Sequence, residues 1–352
     1  MKVLHLPTSV GGNSWGLAQG EKLLGLDSKV LIDSNTWLNY PYDFCMDFDK
    51  RNSFGITSKM VQTFFKIRKS YDVFHFNFGR SLIDIRKYGI NYLDLPFYNG
   101  KKIMTYNGCD ARQKYSTIQR VNFSACHESE CYRGMCNSGT FDTLRQKRIQ
   151  IISKTMDHIF ALNPDLMYFL PESKTTFLPY SIANWHSISN YDFSISKKIK
   201  IVHAPTDRVA KGSHYILKAL ENLQKKYLNL EVSIIEKLPH QEALKKYQEA
   251  HIIIDQVLIG WYGAFGVEVM KMGKPLAVFV REEDLKFIPS NMAKALNEAI
   301  ININPFNIET ILSEYIENNH LLNEKSRAAL DYVHQWHNPL YVAGLTKSVY
   351  EG

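Results

Sequence analysis

The stretch IIIDQVLIGWYGAFGVEVMKMGKPLAVFV, residues 252–280, decides the fold class. It opens on a short branched apolar run, Ile252–Asp255, which reads as a buried strand. A loop rich in glycine and aromatic residues follows. A helix then starts near Gly266 and stops at Gly273-Lys274-Pro275, where glycine and proline terminate helices. Leu276–Val280 is the next buried strand. Strand, helix and strand in so short a span make a βαβ unit, and such units build parallel sheets with right-handed crossovers.

The same alternation extends in both directions. Downstream, Asn291–Ala299, Ile308–Asn318, Ser326–Trp336 and Pro339–Tyr350 have helical periodicity. Upstream lie strands at Lys200–His203 and Glu231–Glu236 and helices at Tyr215–Lys225 and Gln241–Ala250. Before these, Ser181–Ser196 is polar and weakly patterned, so it reads as a linker. An earlier α/β half precedes the linker. Its strands are Val3–Pro7, Lys29–Ile32, Val73–Phe78, Lys101–Tyr106, Ile159–Leu162 and Thr176–Pro179, and its helices are Gly16–Leu24 and Leu144–Met156. The expectation is an α/β protein with two Rossmann-like domains: residues 1–183, residues 184–335, and a C-terminal helix over 336–352 that crosses back to the first. Parallel sheets of this kind bind ligands outside the carboxyl ends of their strands.

The chain has 352 residues, 45% of them hydrophobic and 22% charged, which suits a globular protein of two domains. No apolar run is long enough for a transmembrane helix. MKVLHLPTSVGG is too short in its apolar part for a signal peptide, so the expected location is cytoplasmic, with peripheral association on the inner face of the membrane. The net charge of +7 is lopsided. Residues 1–180 carry 23 basic against 16 acidic residues, and residues 181–352 carry 19 of each. Such asymmetry favours an acidic partner for the first half, anionic lipid headgroups or a phosphorylated acceptor; the alternative is an uneven solvated surface. Nucleic acid is not expected, because no basic run, zinc finger or aromatic-flanked RNA motif is present.

Five cysteines and no signal peptide argue against a disulfide framework. Three of them fall in ACHESECYRGMCNSG, residues 125–139, with four residues between successive cysteines. Cys126, Cys131 and Cys136, with Cys109 or His127 as a fourth ligand, form a candidate structural site for zinc or an iron–sulfur cluster. The alternative is a polar loop with free thiols.

Three segments carry candidate ligand chemistry. Gly11-Gly12 lies between the first strand and the first helix, where backbone can approach a phosphate. It lacks the third glycine of a dinucleotide fingerprint. Arg208 and Lys211 follow the strand Lys200–His203 and suit a diphosphate. Glu268 sits in the first turn of the helix after the glycine loop. It could accept hydrogen bonds from a ribose diol, and amides near Ala264, Phe265 and Gly266 could hold anionic oxygens.

HAPTDRVAKGSHYILKAL (203–220) and IDQVLIGWYGAFGVEVMKMGKPL (254–276) resemble the nucleotide-binding domain of GT-B glycosyltransferases, nearest to glycosyltransferase family 4. PTSVGGNSWGLAQGEKLLG (7–25), YDVFHFNFGRSL (71–82), TYNGCDARQ (105–113), ALNPDLMYFLP (161–171) and FLPY (177–180) resemble the acceptor-side domain of that family. The resemblance implies a GT-B fold, two parallel sheets across a cleft. It implies a retaining, metal-independent hexosyltransferase that moves a sugar from a nucleoside diphosphate donor to a glycan or lipid-diphosphate acceptor, in cell-surface polysaccharide synthesis. No cofactor is required, because Arg208 and Lys211 would neutralise the diphosphate. Glu268 would bind the ribose, Gly12 would admit the diphosphate, and Pro239 and His240 would lie near the base. Asn107 stands where the family often has a catalytic His. Gly260 stands where the family often has the first Glu of a Glu-x7-Glu pair ending at Glu268, and the spacing from Arg208 to Lys211 is shorter than usual. The alternatives to transfer are an inactive nucleotide-sugar-binding scaffold and a sugar-nucleotide epimerase.

Overall fold

The computed structural model describes residues 1–35, 39–85, 90–189, 194, 198–236, 238 and 240–352. They form two compact units. Unit 1 comprises Met1–Gln113, Asp142–Ala183 and His337–Gly352, and unit 2 comprises Lys114–Phe141 and Asn184–Trp336.

Unit 1 is built on strands β1 (Lys2–Leu6), β2 (Asp27–Ile32), β3 (Phe44–Cys45), β4 (Val73–Asn77), β7 (Lys101–Tyr106), β8 (His158–Ala161) and β9 (Thr175–Phe177), with β5 (Asp84–Ile85) and β6 (Ile90–Asn91) as a separate antiparallel pair. The seven run parallel in the order β3-β2-β1-β4-β7-β8-β9. Val3, Leu4 and Leu6 are buried on alternating faces of β1, which is why the strand reads as an unbroken apolar run. The sheet order reverses between β1 and β4, so the crevice of this unit opens at the loops that follow those strands. The C-terminal helix Pro339–Glu351 belongs to unit 1.

Unit 2 carries β10 (Ile199–His203), β11 (Leu230–Ile234), β12 (Ile252–Ile254), β13 (Leu276–Val278) and β14 (Ile300–Asn302), parallel in the order β11-β10-β12-β13-β14. Here the reversal falls between β10 and β12. The two sheets have separate cores, for example Phe74, Phe76 and Met104 in unit 1 and Ile201, Ile254 and Leu312 in unit 2. Among the described residues no helix is long and apolar enough to cross a membrane.

Two features depart from the sequence pattern. The stretch read as a linker is packed over its first part. Ile182, Trp185 and Ile188 are buried, and the Ser181 amide donates to Asn13 Oδ1 at 3.0 Å. Most of 190–197 lies outside the described residues. Second, Lys114–Phe141 leaves the first half of the chain and is part of unit 2. Its root is held by buried groups. Arg120 reaches Asp284 at 2.7 Å, the Phe123 ring lies 4.9 Å from that of Phe279, and the Ala125 amide donates to Leu258 O at 3.1 Å.

Candidate functional site

In unit 2 the crevice is made by the loops after β10 and β12. His203 ends β10 fully buried, with Nδ1 2.9 Å from Ile254 O and Nε2 2.8 Å from Ser213 Oγ. Burial lowers its pKa to about 4, so the ring is neutral and ties two strands to the helix Ser213–Lys226. Asp207 then caps the single turn Arg208–Lys211, accepting from the Ala210 amide at 2.8 Å. This turn sets the direction of both cations. Arg208 is exposed and grips Glu236 in a two-bond fork, each bond 2.7 Å. Lys211 points inward and pairs with Asp255, which has no exposed surface.

Asp255 is the residue that the sequence reading missed. It stands directly after β12, at the carboxyl end where a buried apolar run meets its loop. Its second oxygen, Oδ2, is buried with no hydrogen-bond partner among the described residues. A buried carboxylate with an open valence is costly unless a cation or donor faces it, and Lys211 is that cation.

The glycine loop is held from within. Gln256 has no exposed surface; its Nε2 donates to Phe279 O at 2.7 Å and its Oε1 accepts from the Ile259 amide at 2.6 Å. Gly260 has φ +90, a left-handed conformation open to glycine. A Cβ there would also run into the Arg281 guanidinium. That guanidinium donates to Phe123 O at 3.0 Å and lies over the Phe279 ring. A glutamate at 260 would therefore strain the backbone and require Arg281 to give way.

The helix Ala264–Lys271 begins after Gly263 with no side chain capping its first turn, so the amides of Ala264, Phe265 and Gly266 open its amino end. Gly266 is also a packing glycine, since a Cβ would fall 2.8 Å from Tyr262 Cβ. Glu268 is buried on the same helix. The Tyr247 ring lies 5.3 Å from that of Phe265 on this helix. Burial, then the carboxylates of Glu268 and Asp255, push the Tyr247 phenol well up, so the two acids share one neighbourhood. Unit 2 thus gathers Lys211, Asp255, the glycine loop and Glu268 at its reversal point. Pro239 lies outside the described residues, and His240 opens the helix His240–Gln248.

Unit 1 places the other candidates. Gly12 follows β1 with φ +70; a Cβ would meet Ala183 Cβ at 2.8 Å and Tyr40 Cδ1 at 2.9 Å. Asn107 follows β7. Its carbonyl accepts from Asn163 Nδ2 at 3.0 Å and from the Tyr180 hydroxyl at 3.3 Å. Its amide N–H and that of Gly108 donate to Asp110, at 3.0 Å and 2.6 Å. The Asn107 side chain is buried, and neither its Oδ1 nor its Nδ2 has a hydrogen-bond partner among the described residues. Desolvation raises the Asp110 pKa to about 6, against the pull of those two N–H groups.

The cysteines are all free thiols. Cys109 is in unit 1, whereas Cys126, Cys131 and Cys136 are in unit 2. Among the described residues, the one group of three potential metal ligands drawn together is not a cysteine group. It is His5, Glu21 and His75, buried in unit 1. That cluster is already hydrogen-bonded: His5 Nε2 lies 2.8 Å from Glu21 Oε2, and His75 lies 2.6 Å from both Tyr350 and Thr105.

No protein-family model matches the chain, and no curated protein sequence does. Solved structures do. Sucrose-phosphate synthase from Thermosynechococcus elongatus is 13% identical with a TM-score of 0.59, over 99% of this chain and 98% of that one. UDP-GlcNAc 2-epimerase from Neisseria meningitidis, bound to UDP-GlcNAc, is 12% identical with a TM-score of 0.55, over 99% of each chain. Staphylococcus aureus TarM, as a variant in complex with fondaparinux, alpha-GlcNAc-glycerol and UDP, is 12% identical with a TM-score of 0.56, over 85% of this chain and 59% of that one. At such identities the likeness establishes fold alone. The fold is that of two parallel-sheet α/β domains of the GT-B type, as the sequence led us to expect.

Proposed function

We propose that the protein is a retaining glycosyltransferase using a nucleoside diphosphate sugar and a glycan or lipid-diphosphate acceptor. One observation carries the reading. Lys211, held by Asp255, stands at the reversal point of unit 2, and the chain after Asp255 leads into an uncapped helix start and buried Glu268. A cation, free amides and a carboxylate acceptor are the three groups that a nucleoside diphosphate needs: charge for the diphosphate, donors for its oxygens, and an acceptor for the ribose hydroxyls.

In this reading Lys211 neutralises the diphosphate as it leaves. Arg208 joins it by exchanging Glu236 for phosphate, which its exposed position permits. The sugar C1–O bond to the diphosphate breaks, and the acceptor oxygen bonds to C1 on the same face. The acceptor proton passes to the departing diphosphate oxygen. The protein supplies position and electrostatic stabilisation, with no nucleophile of its own. Asn107 takes the catalytic place its position in the resemblance gives it, with a neutral amide where an imidazole is common.

A thermal-shift panel of nucleoside diphosphates and their sugars tests the donor site, since a ligand of the folded state raises the melting temperature. A shift with one base class, lost in Glu268→Ala, is expected; no shift with any member would remove the donor site from the reading.

The second reading is a sugar-nucleotide epimerase. Its support is the full-length likeness to an epimerase fold and a loop that glutamate at Gly260 would strain. An epimerase converts the sugar nucleotide to an isomer without acceptor, and a transferase does not. Nucleotide binding with neither reaction is the mark of an inactive scaffold.

A further inference from the structure

The segment 114–141 belongs to unit 2 although the first half of the chain encodes it. Its contacts fall on loops at the carboxyl ends of that unit's strands. After β10, the turn Arg208–Lys211 packs against the turn Cys131–Gly134, with Cα atoms of the two within 8 Å. After β12, Leu258 O accepts from the Ala125 amide at 3.1 Å. After β13, Arg281 donates to Phe123 O and Asp284 pairs with Arg120. After β14, the Phe306 ring lies 5.4 Å from that of Phe123. Carboxyl ends of parallel strands are where folds of this kind bind ligands. A segment running along that edge either seals it or takes part in what binds there.

Two observations favour taking part. The first is the backbone of the turn. Tyr132, Arg133 and Gly134 have φ of 45, 58 and 70, three left-handed residues in succession, and only glycine takes that conformation without steric cost. A simple seal has no need of such a turn, and backbone held this way gathers at ligand clamps. The second is charge. Of the cations on the two turns, Arg208 pairs with Glu236 and Lys211 with Asp255. Arg133 is exposed and has no ion-pair partner among the described residues; Glu128 and Glu130, its nearest acidic neighbours in the sequence, do not pair with it. An arginine has the reach to cross between turns whose backbones come this close, and its planar fork suits two phosphate oxygens.

We infer that the turn Cys131–Gly134 completes the anion site of unit 2, with Arg133 as a third cation that binds the diphosphate of a nucleotide beside Arg208 and Lys211. The inference rests on the donor site proposed above and adds to it a residue from the other half of the chain.

The test is calorimetry of the full chain with UDP, GDP, ADP and CDP, and with inorganic pyrophosphate. The parent is expected to bind at least one of them, and the variants are measured on whichever binds. Arg133→Gln should weaken that binding about tenfold or more, the scale of one charge-assisted contact. Arg133→Lys keeps the charge without the fork and should recover part of the loss. Arg133→Gly supplies a readout that a merely structural role would not give. It relieves the left-handed strain, so the melting temperature should hold or rise while affinity falls as in the glutamine variant. Parental affinity in Arg133→Gln or in Arg133→Gly would overturn the inference and leave the donor site standing, because the parent still binds. A parent chain that binds neither a nucleoside diphosphate nor pyrophosphate would overturn the donor site and the inference with it.

Discussion

The crevice of unit 2 lies at the reversal of its sheet, whereas the candidate groups of unit 1 follow β7, one strand beyond the reversal between β1 and β4, and the two places are furnished oppositely. Unit 2 puts charge there: Lys211 against buried Asp255, with Glu268 near by. Its loop is saturated by its own hydrogen bonds through Gln256. Unit 1 puts a buried amide and a carboxyl of raised pKa there. The Asn107 amide is buried with open valences, and burial raises the Asp110 pKa to about 6. Rigid charge suits a fixed anion, and unfilled amide valences suit hydroxyl groups that arrive with a ligand. Under the proposed function this difference would suit a diphosphate on unit 2 and hydroxyl partners on unit 1.

The largest expected effect breaks the charged side of this comparison. Lys211→Ala should reduce kcat/KM by about 10²–10³-fold, the scale of a lost electrostatic contact in a transition state. It also strands Asp255, so unfolding in urea should show a loss of about 3–5 kcal/mol. Lys211→Ala with Asp255→Asn separates the two effects. Stability should largely return while activity stays low. Recovery of both would mean that Lys211 only supports the fold.

Next comes Gly260. Gly260→Ala imposes a left-handed conformation on a residue with a Cβ and pushes that Cβ at Arg281, so a loss of about 1–3 kcal/mol is expected in urea unfolding. Gly260→Glu, which would complete the Glu-x7-Glu pattern, should be worse than alanine and should not raise activity. A stable and more active Gly260→Glu protein would show that the loop is not locked in this way.

A smaller effect is expected at Glu268. Glu268→Gln keeps the shape and removes the anion, and calorimetry should show donor nucleotide affinity down by about 5–100-fold, the range of one charged hydrogen bond. Equal affinity would take the ribose away from Glu268.

The smallest effects compare the units by pH. Folding raises the Asp110 pKa to about 6, so between its unfolded value near 3.8 and 6 the folded chain binds more protons, and stability falls as pH rises through that window. Folding lowers the His203 pKa from 6.5 to about 4, so between 4 and 6.5 the unfolded chain binds more protons, and stability rises with pH. Asp110→Asn should therefore make the stability profile of the protein climb more steeply from pH 4 to 6, and His203→Gln should flatten it. Urea titrations across that range read the difference; two substitutions tilting the profile the same way would contradict it.

Much of this was legible beforehand. The strands β1, β4, β7, β10 and β12 are apolar runs that end at loops with glycine or charge, and both sheets and their alternation follow from that pattern. So do the positions of Arg208 and Lys211 after a strand end and of Glu268 on the helix after the glycine loop, although Glu268 falls in the second turn of Ala264–Lys271 and not in the first. Less was legible where elements are short or amphipathic. β14 has three residues between two helices, too few for periodicity to register. The helix Ser53–Ile67 carries apolar residues on an outward as well as an inward face, and it is not among the helices read from the sequence.

What the sequence determined by itself was local: which runs bury both faces, where the chain turns, which residue types stand at a strand end. Those depend on neighbours within a few positions. What the tertiary structure decided was pairing across long separations. Arg208 turns to Glu236 and Lys211 to Asp255, forty-four positions away. Arg281 occupies the space at Gly260, and the segment 114–141 joins unit 2 and not the half of the chain that encodes it. No periodicity encodes such partners, because a charge or a void is satisfied by whichever group the packed sheets bring to it.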